Sequence, residues 1–180
     1  PPLSGISEKG QAEGFFIDLL EYIAEREGWQ MRYVFCPFST CLEMARAGRV
    51  DLVAVVAYSE ERARTLAFNR ETVVNNWGEI YTRRGLKVES LLDLEGYKIM
   101  AVREDIYLSH LKKMVPNLGI SVEIVEVSSY HIVFEALQER RADVGIVGRL
   151  FGELNASSYN VSRTPIILLP VSLRFAAPKD

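Results

Sequence analysis

The stretch that decides the reading is VDLVAVVAYSEERARTLAF, Val50–Phe68. Its first part is an apolar run broken only by Asp51, and it reads as a fully buried strand with apolar residues on both faces, as a parallel sheet requires. Tyr58 and Ser59 end the run. Ser59 is a natural N-cap, and Glu60 and Glu61 then occupy a first helical turn, where the helix dipole favours negative charge. Arg62 comes third in that helix, a position where a cation sits at the wrong end of the dipole. Strand, turn and capped helix form the start of an α/β unit, and Arg62 is the residue in it that local rules leave unexplained.

Working toward the N-terminus, Phe16, Leu19, Leu20 and Ile23 are spaced for one helix face, and Gly28 can end that helix in the left-handed conformation. MRYVF, Met31–Phe35, reads as a strand. Ser39 reads as the cap of a second helix that carries Leu42 and Ala45 and ends at Gly48.

Working toward the C-terminus, the same order returns. SVEIVEV reads as a strand, SSYHIVFEALQER as a helix and DVGIVG as a buried strand. The two copies align without gaps at an offset of 92 residues: Phe38 falls on Tyr130, Leu42 on Phe134, Glu43 on Glu135, Arg49 on Arg141, Asp51 on Asp143 and Leu52 on Val144. Such a repeat implies two similar α/β units rather than one sheet. Asp51 and Asp143 could be taken as a catalytic pair, but each occupies the turn feeding a buried strand, where a short acid satisfies backbone N–H groups.

Between the copies NWGEIYTRRG is strand-like, and TPIILLPVSLRFAAPK returns near the C-terminus with Pro165 and Pro170 bracketing an apolar run. Two extended crossings are therefore expected near residues 82–86 and 166–170. The expected lobes are 1–83 plus 168–180, which is discontinuous, and 84–167. Two lobes joined by two crossings make a hinge and a cleft, and clefts at domain junctions are where small ligands usually bind.

Composition narrows the function. The chain has 180 residues, 48% of them hydrophobic, and a net charge of −3 with both signs mixed along its length. No basic block points to nucleic acid or an anionic membrane. The apolar runs reach only about eight residues, far short of a membrane span. No signal peptide is read, and the abrupt ends, Pro-Pro and APKD, lead to the expectation of a fragment of something longer. Cys36 and Cys41 are the only cysteines. They are either a disulfide, in an oxidising compartment, or two small buried apolar side chains. With His110 and His131 they do not make a zinc site at structural spacing, so no metal and no cofactor is expected. An enzyme is also not expected. No Cys/His pair, G-x-S-x-G, Walker A or H-E-x-x-H motif is present. Glu60 and Glu61, adjacent on a helix, diverge by about 100° and cannot flank a bond.

The chain resembles the type II periplasmic solute-binding proteins, in particular the family that binds amino acids and other small polar solutes. The similarity rests on EGFFIDLLEYIAEREGW, CLEMARAGRVDLVAVVAYSEERARTLAFN, LLDLEGYKIMAVREDIY and ALQERRADVGIVG, which together span nearly the whole chain. AYSEERA followed by NNWGEIYTRR is more similar to the versions fused to membrane sensor kinases than to free transport proteins. The resemblance implies a two-lobed α/β fold of the periplasmic-binding-protein type II kind and a binding domain rather than an enzyme. It implies an extracytoplasmic location, with a parent anchored in the inner membrane and bearing a histidine kinase. The ligand would be a small polar or anionic solute. The competing expectation is a free carrier that serves an ABC-type transporter.

The resemblance also assigns residues. It implies that Arg62 clamps an anionic ligand group, a role that suits a planar guanidinium; the alternative is a pair with a nearby Glu. Ala57 stands where amino-acid binders carry a small hydroxyl residue, beside Tyr58. Gly148, with Arg149 beside it, stands where they carry an acid for the ligand's ammonium. That departure points to a solute without an ammonium group, unless Glu153 or Asp105 takes over. Phe38 matches a wall beside the ligand or packs in the core. AVREDIY corresponds to a turn that offers backbone N–H groups, through Arg103, Asp105 and Ile106; Asp105 is also placed to cap the helix carrying Tyr107, Leu108 and Leu111. Arg103 points either to the cleft or to solvent. Trp77 and Tyr81 line the cleft floor or, for Trp77, pack at the crossing. The family's strand before Pro-Pro and its long helix after APK are absent, so an exposed edge and some self-association, in the form of a homodimer, are expected.

Overall fold

A computed structural model describes residues 3–179. Pro1, Pro2 and Asp180 lie outside the described residues, and with them the outer limits of the expected first lobe. In chain order the elements are β1 (Gly5–Ile6), β2 (Ala12–Glu13), α1 (Phe15–Glu27), α2 (Phe38–Arg46), β3 (Val53–Ala57), α3 (Glu60–Ala63), β4 (Leu66–Phe68) and β5 (Val74–Arg83). A 3-10 turn at Leu91–Leu94 leads to β6 (Lys98–Val102), α4 (Ile106–Leu118), β7 (Glu123–Val127), α5 (Tyr130–Gln138), β8 (Val144–Gly148), α6 (Arg149–Asn155) and the long β9 (Val161–Pro178). The fold is mixed α/β.

Two compact units are present. One comprises the residues up to Asn75 with those from Ser172 onward, the other Asn76–Val171. The chain thus passes between them at 75/76 and 171/172, not near 82–86 and 166–170. The difference has a clear cause: residues 78–82 of β5 pair in antiparallel register with β8, from Gly78 opposite Gly148 to Thr82 opposite Val144, so they belong to the second unit.

In the first unit, β3 and β4 both pair antiparallel with the end of β9, Ala57 opposite Leu173 and Phe68 opposite Ala176. β3 therefore corrects the expectation of a fully buried parallel strand. Its described partner is antiparallel, and only Val56 and Ala57 are buried along it. MRYVF is not a strand either: Met31–Phe35 has no ladder partner, and Met31, Val34 and Phe35 are exposed. A strand exists only where a neighbour takes up its N–H and C=O groups, and no described strand pairs with this segment.

Helix α1 starts after Gly14, at φ 114, where a Cβ would approach the Leu3 backbone to 2.8 Å. It ends at Gly28, left-handed at φ 71. Its buried face is Phe16, Ile17, Leu20 and Ala24, with Leu19 and Ile23 half-buried, so the stripe is rotated slightly from the expected one. Helix α2 begins at Phe38 with Pro37 as N-cap, and Ser39 makes no capping bond. Proline supplies the right φ for a helix entry without a donor to satisfy. Leu42 and Ala45 are fully buried, together with Val56, Leu66 and Ala176.

Cys36 and Cys41 are joined in a disulfide with Cα atoms 5.6 Å apart, which clamps the entry to α2. Closing so short a loop is worth about 2 kcal/mol on a chain-entropy basis. Reduction is therefore expected to lower the unfolding free energy by about that amount, measurable by urea titration with and without reductant. An unchanged midpoint would contradict it.

In the second unit the strand order is β9–β5–β8–β6–β7, with β8 parallel to β6 and β6 parallel to β7. Here the expectation of a two-sided buried strand holds, for all five residues of β8 are buried. Gly145 in this strand lets α5 approach, since a Cβ there would meet Val133 Cγ1 at 2.5 Å. The core gathers Tyr81, Met100, Val102, Val133, Phe134, Leu137 and Val147. Tyr81 belongs to it, 1% exposed and edge-on to Phe134 at 4.9 Å, which removes Tyr81 as a ligand-lining residue. Asp143 accepts from the Lys98 backbone N–H at 3.2 Å and from Arg83 Nε at 2.9 Å, while Asp51 is exposed. The repeat is visible in the helices: α2 and α5 begin and end at positions that differ by 92, with Pro37 and Ser129 as matching caps.

Candidate functional site

The first-unit candidates are built by the end of β3. Ser59 is extended, and its hydroxyl accepts from the Arg62 N–H at 3.2 Å. That cap turns the chain so sharply that Arg62, four residues after Tyr58, folds back over the strand end. Its Nη1 donates to the Ala57 carbonyl at 2.9 Å, and its guanidinium carbon lies 5.5 Å from the centre of the Phe38 ring. Only 8% of Arg62 is exposed. A guanidinium taken out of water is expensive unless it is hydrogen-bonded, so its inward placement is specified by the fold. Phe38 touches both sides of the question: its ring faces Arg62 and also packs on the first core.

Tyr58, 36% exposed, stands edge-on to Phe68 at 5.3 Å. A second guanidinium covers it: Arg174 lies 4.5 Å from the ring centre and donates from Nη1 to the Asn69 carbonyl at 3.3 Å. Its Nε is buried without a hydrogen-bond partner. Arg174 escaped the sequence reading because its place follows from the register of β9, which sets it opposite Val56.

The second-unit candidates cluster at the ends of β6 and β8. After β6 the chain turns through Glu104, at φ 65, in the left-handed conformation that glycine adopts most easily. Asp105 follows as N-cap of α4, and Oδ1 accepts from the Tyr107 N–H at 3.0 Å. Its Oδ2 accepts from the Tyr130 hydroxyl at 2.5 Å. Burial, with the Asp105 carboxylate beside it, pushes the Tyr130 phenol well above its ordinary value. Tyr130 is the repeat partner of Phe38, so the first aromatic of each equivalent helix meets the candidate charged residue of its own unit. Ile106 is half-buried behind this turn. Arg103 points elsewhere: its side chain is 64% exposed, with Nε 3.5 Å from Glu126.

Gly148 caps α6 and is buried; a Cβ there would stand 3.0 Å from Asn76 Nδ2 and 3.5 Å from the Tyr130 hydroxyl. Any side chain at this position makes the Asn76 amide give by a few tenths of an ångström. Asn76 is another residue the sequence reading passed over; its Oδ1 is buried without a partner. Arg149 lies 4.3 Å above the centre of the Trp77 ring and donates from Nη1 to Glu153 at 2.9 Å. Glu153 and Asp105 are thus both engaged within the unit. A shallow depression of about 380 Å³ along Leu86–Glu89 and Ser162–Pro165 of the second unit is lined by none of these residues. Among the described residues no cluster of three or more His, Cys, Asp or Glu could hold a metal, and no helix is long and apolar enough to cross a membrane.

Residues 1–105 match the family model of bacterial extracellular solute-binding proteins, family 3. A curated relative, the probable amino-acid-binding protein YxeM of Bacillus subtilis (strain 168), is 22% identical over 120 residues, which make up 66% of this chain and 46% of that protein. The chain thus matches less than half the length of that relative. Many solved structures share the fold, among them these two. One is a Listeria monocytogenes protein assigned as an L-cystine ABC transporter, with TM-score 0.89 and 23% identity, covering 100% of this chain and 79% of that one. The other is a histidine kinase sensor domain with similarity to periplasmic binding proteins, with TM-score 0.85 and 21% identity, covering 99% of this chain and 78% of that one. With the Ser59-capped turn, the α/β units and the family match in place, the chain belongs to the bacterial extracellular solute-binding proteins, family 3.

Proposed function

We propose that this chain is the extracytoplasmic solute-binding sensor domain of a membrane signalling protein of the sensor-histidine-kinase type, and that it binds a small polar solute with a negatively charged group. The observation that carries the binding role is Arg62: a residue 8% exposed, its guanidinium oriented by the Ala57 carbonyl and the Phe38 ring. A fork fixed in that way matches a carboxylate. The solute class follows from the second unit, where Gly148 supplies no acid and Arg149 stands next to it. An ammonium group would be repelled there, which favours a carboxylate-like solute over an ordinary α-amino acid. The candidate set is Arg62, Phe38, Ala57 and Tyr58 with Trp77, Arg103, Asp105, Ile106, Gly148 and Arg149; of these Arg103 is the most exposed, with Nε 3.5 Å from Glu126.

In this reading solute draws the two units together and that closure is the signal. A ligand can bias such an equilibrium only by its differential affinity for the closed state. The likeness to a kinase sensor domain and the run from AYSEERA to NNWGEIYTRR support the sensor role. The second reading, a free carrier for an ABC-type transporter, is favoured by the likeness to YxeM and to the Listeria protein.

A thermal-shift panel of amino acids, dicarboxylates and polyols tests binding, followed by solution scattering with the best solute. Dicarboxylates are expected to raise the melting temperature and reduce the radius of gyration. A bound solute that leaves the radius unchanged would remove closure as the mechanism. Solute-dependent autophosphorylation of the full-length protein would separate sensor from carrier.

A further inference from the structure

The most deeply buried carboxylate in the second unit belongs to Glu79, 1% exposed on β5. Three donors surround it: Trp77 Nε1 at 3.3 Å, the Tyr81 hydroxyl at 3.2 Å and Arg163 Nη2. Residues 77, 79 and 81 alternate with their neighbours, so all three side chains lie on one face of the strand. A buried carboxylate holds its partners firmly, because losing one leaves an uncompensated charge. Tyr81 is locked in the core and Arg163 reaches in from β9. Trp77 is the member that faces the candidate residues. Its N–H is committed to Glu79, which fixes the rotation of the indole, and the ring face that results lies under the Arg149 guanidinium at 4.3 Å.

Arg149 is itself poised. Its Nε is buried without a hydrogen-bond partner, and it is ion-paired with Glu153, on the next turn of α6 and 41% exposed. An exposed pair of that sort is weak, so an arriving anion can take the place of Glu153 while the indole keeps the cation where it is.

We infer that Glu79 and Trp77 are positioning residues for Arg149, and that the guanidinium they seat is the specificity-determining group that turns away ammonium-bearing solutes and admits their deaminated counterparts. This rests on the reading that the Gly148–Arg149 corner meets the solute.

Glutarate and L-glutamate make a matched probe pair, since they differ only in the amino group. Calorimetric titration of the wild-type protein is expected to show glutarate binding about tenfold or more tightly than L-glutamate. Arg149→Met is expected to abolish that preference, and Trp77→Leu and Glu79→Gln to reduce it severalfold, while binding in each still depends on Arg62. A readout that needs no solute runs in parallel. The chain has two tryptophans, so Trp29→Phe leaves Trp77 as the reporter. In that background Arg149→Met and Glu79→Gln are both expected to shift the emission and its quenching by iodide, with circular dichroism confirming the fold; in the calorimetry Trp77→Phe serves as the milder variant. Unchanged emission in Arg149→Met, or L-glutamate binding as tightly as glutarate, overturns the inference and leaves the role of Arg62 intact. If neither probe binds even at millimolar concentration, the proposed solute class fails and the inference fails with it.

Discussion

Arg62→Ala is expected to weaken solute binding by about 2–5 kcal/mol, the loss typical of truncating one partner of a buried, hydrogen-bonded charge pair. The size follows from burial. An exposed ion pair is worth only about 0–1 kcal/mol, but Arg62 is 8% exposed and its guanidinium is already held by the Ala57 carbonyl. The solute therefore meets a donor that needs little further ordering. Removing the side chain also deprives that carbonyl of a partner and opens space beside Phe38, so a loss of fold stability could imitate a loss of affinity. Arg62→Lys separates the two effects. It keeps the charge and loses the planar fork, and it should retain the fold while losing a substantial part of the affinity. Titration calorimetry with the best solute from the panel measures both variants. Affinity unchanged in Arg62→Ala would take Arg62 out of the site.

Phe134→Ala is expected to lower the unfolding free energy by about 3–5 kcal/mol, the range for emptying a fully buried aromatic position. Phe134 is 0% exposed and lies at the centre of a ring cluster, 4.9 Å from Tyr81, 5.2 Å from Phe151 and 5.4 Å from Tyr159. The neighbours are held by their own contacts, Tyr81 through its hydrogen bond to Glu79, so the cavity has little scope to collapse. Burial and the Glu79 carboxylate also push the Tyr81 phenol far above its ordinary value, so this ring remains a neutral donor across the accessible pH range. Leu42→Ala, at the equivalent position of the first unit, should cost about 2–5 kcal/mol. Denaturant unfolding reads both. Because two units are present, each variant should shift the transition of its own unit most, and a Phe134→Ala midpoint equal to that of the wild type would refute the packing account.

How much of this was legible in the residues can be judged from particular places. The cap at Ser59, the cap at Asp105, the left-handed end at Gly28 and the buried run of β8 were all readable, because each depends on atoms a few positions apart. The repeat was readable for the same reason: two helices with the same local pattern start and end in step. The corrections have a different source. MRYVF carries the pattern of a strand, yet no described strand pairs with it. Ser39 is a good capping residue, but the chain enters α2 two residues earlier, at Pro37. The expected boundary at residue 83 fell too late, because the partner of β5 is β8, more than sixty residues away.

The candidate residues divide along the same line. The sequence alone determined most of the helices, the caps at Ser59 and Asp105, that two related α/β units exist and that Arg62 sits in the first turn of a capped helix, since periodicity and capping act through neighbouring residues. The tertiary structure alone decided that the guanidinium of Arg62 folds inward to Ala57, that Arg174 covers Tyr58, that Asp105 is taken by Tyr130, and that Glu79 holds the indole beneath Arg149. Those contacts depend on strand register and helix docking, and pairings between distant segments are set by the packing of the whole unit, which no local pattern encodes.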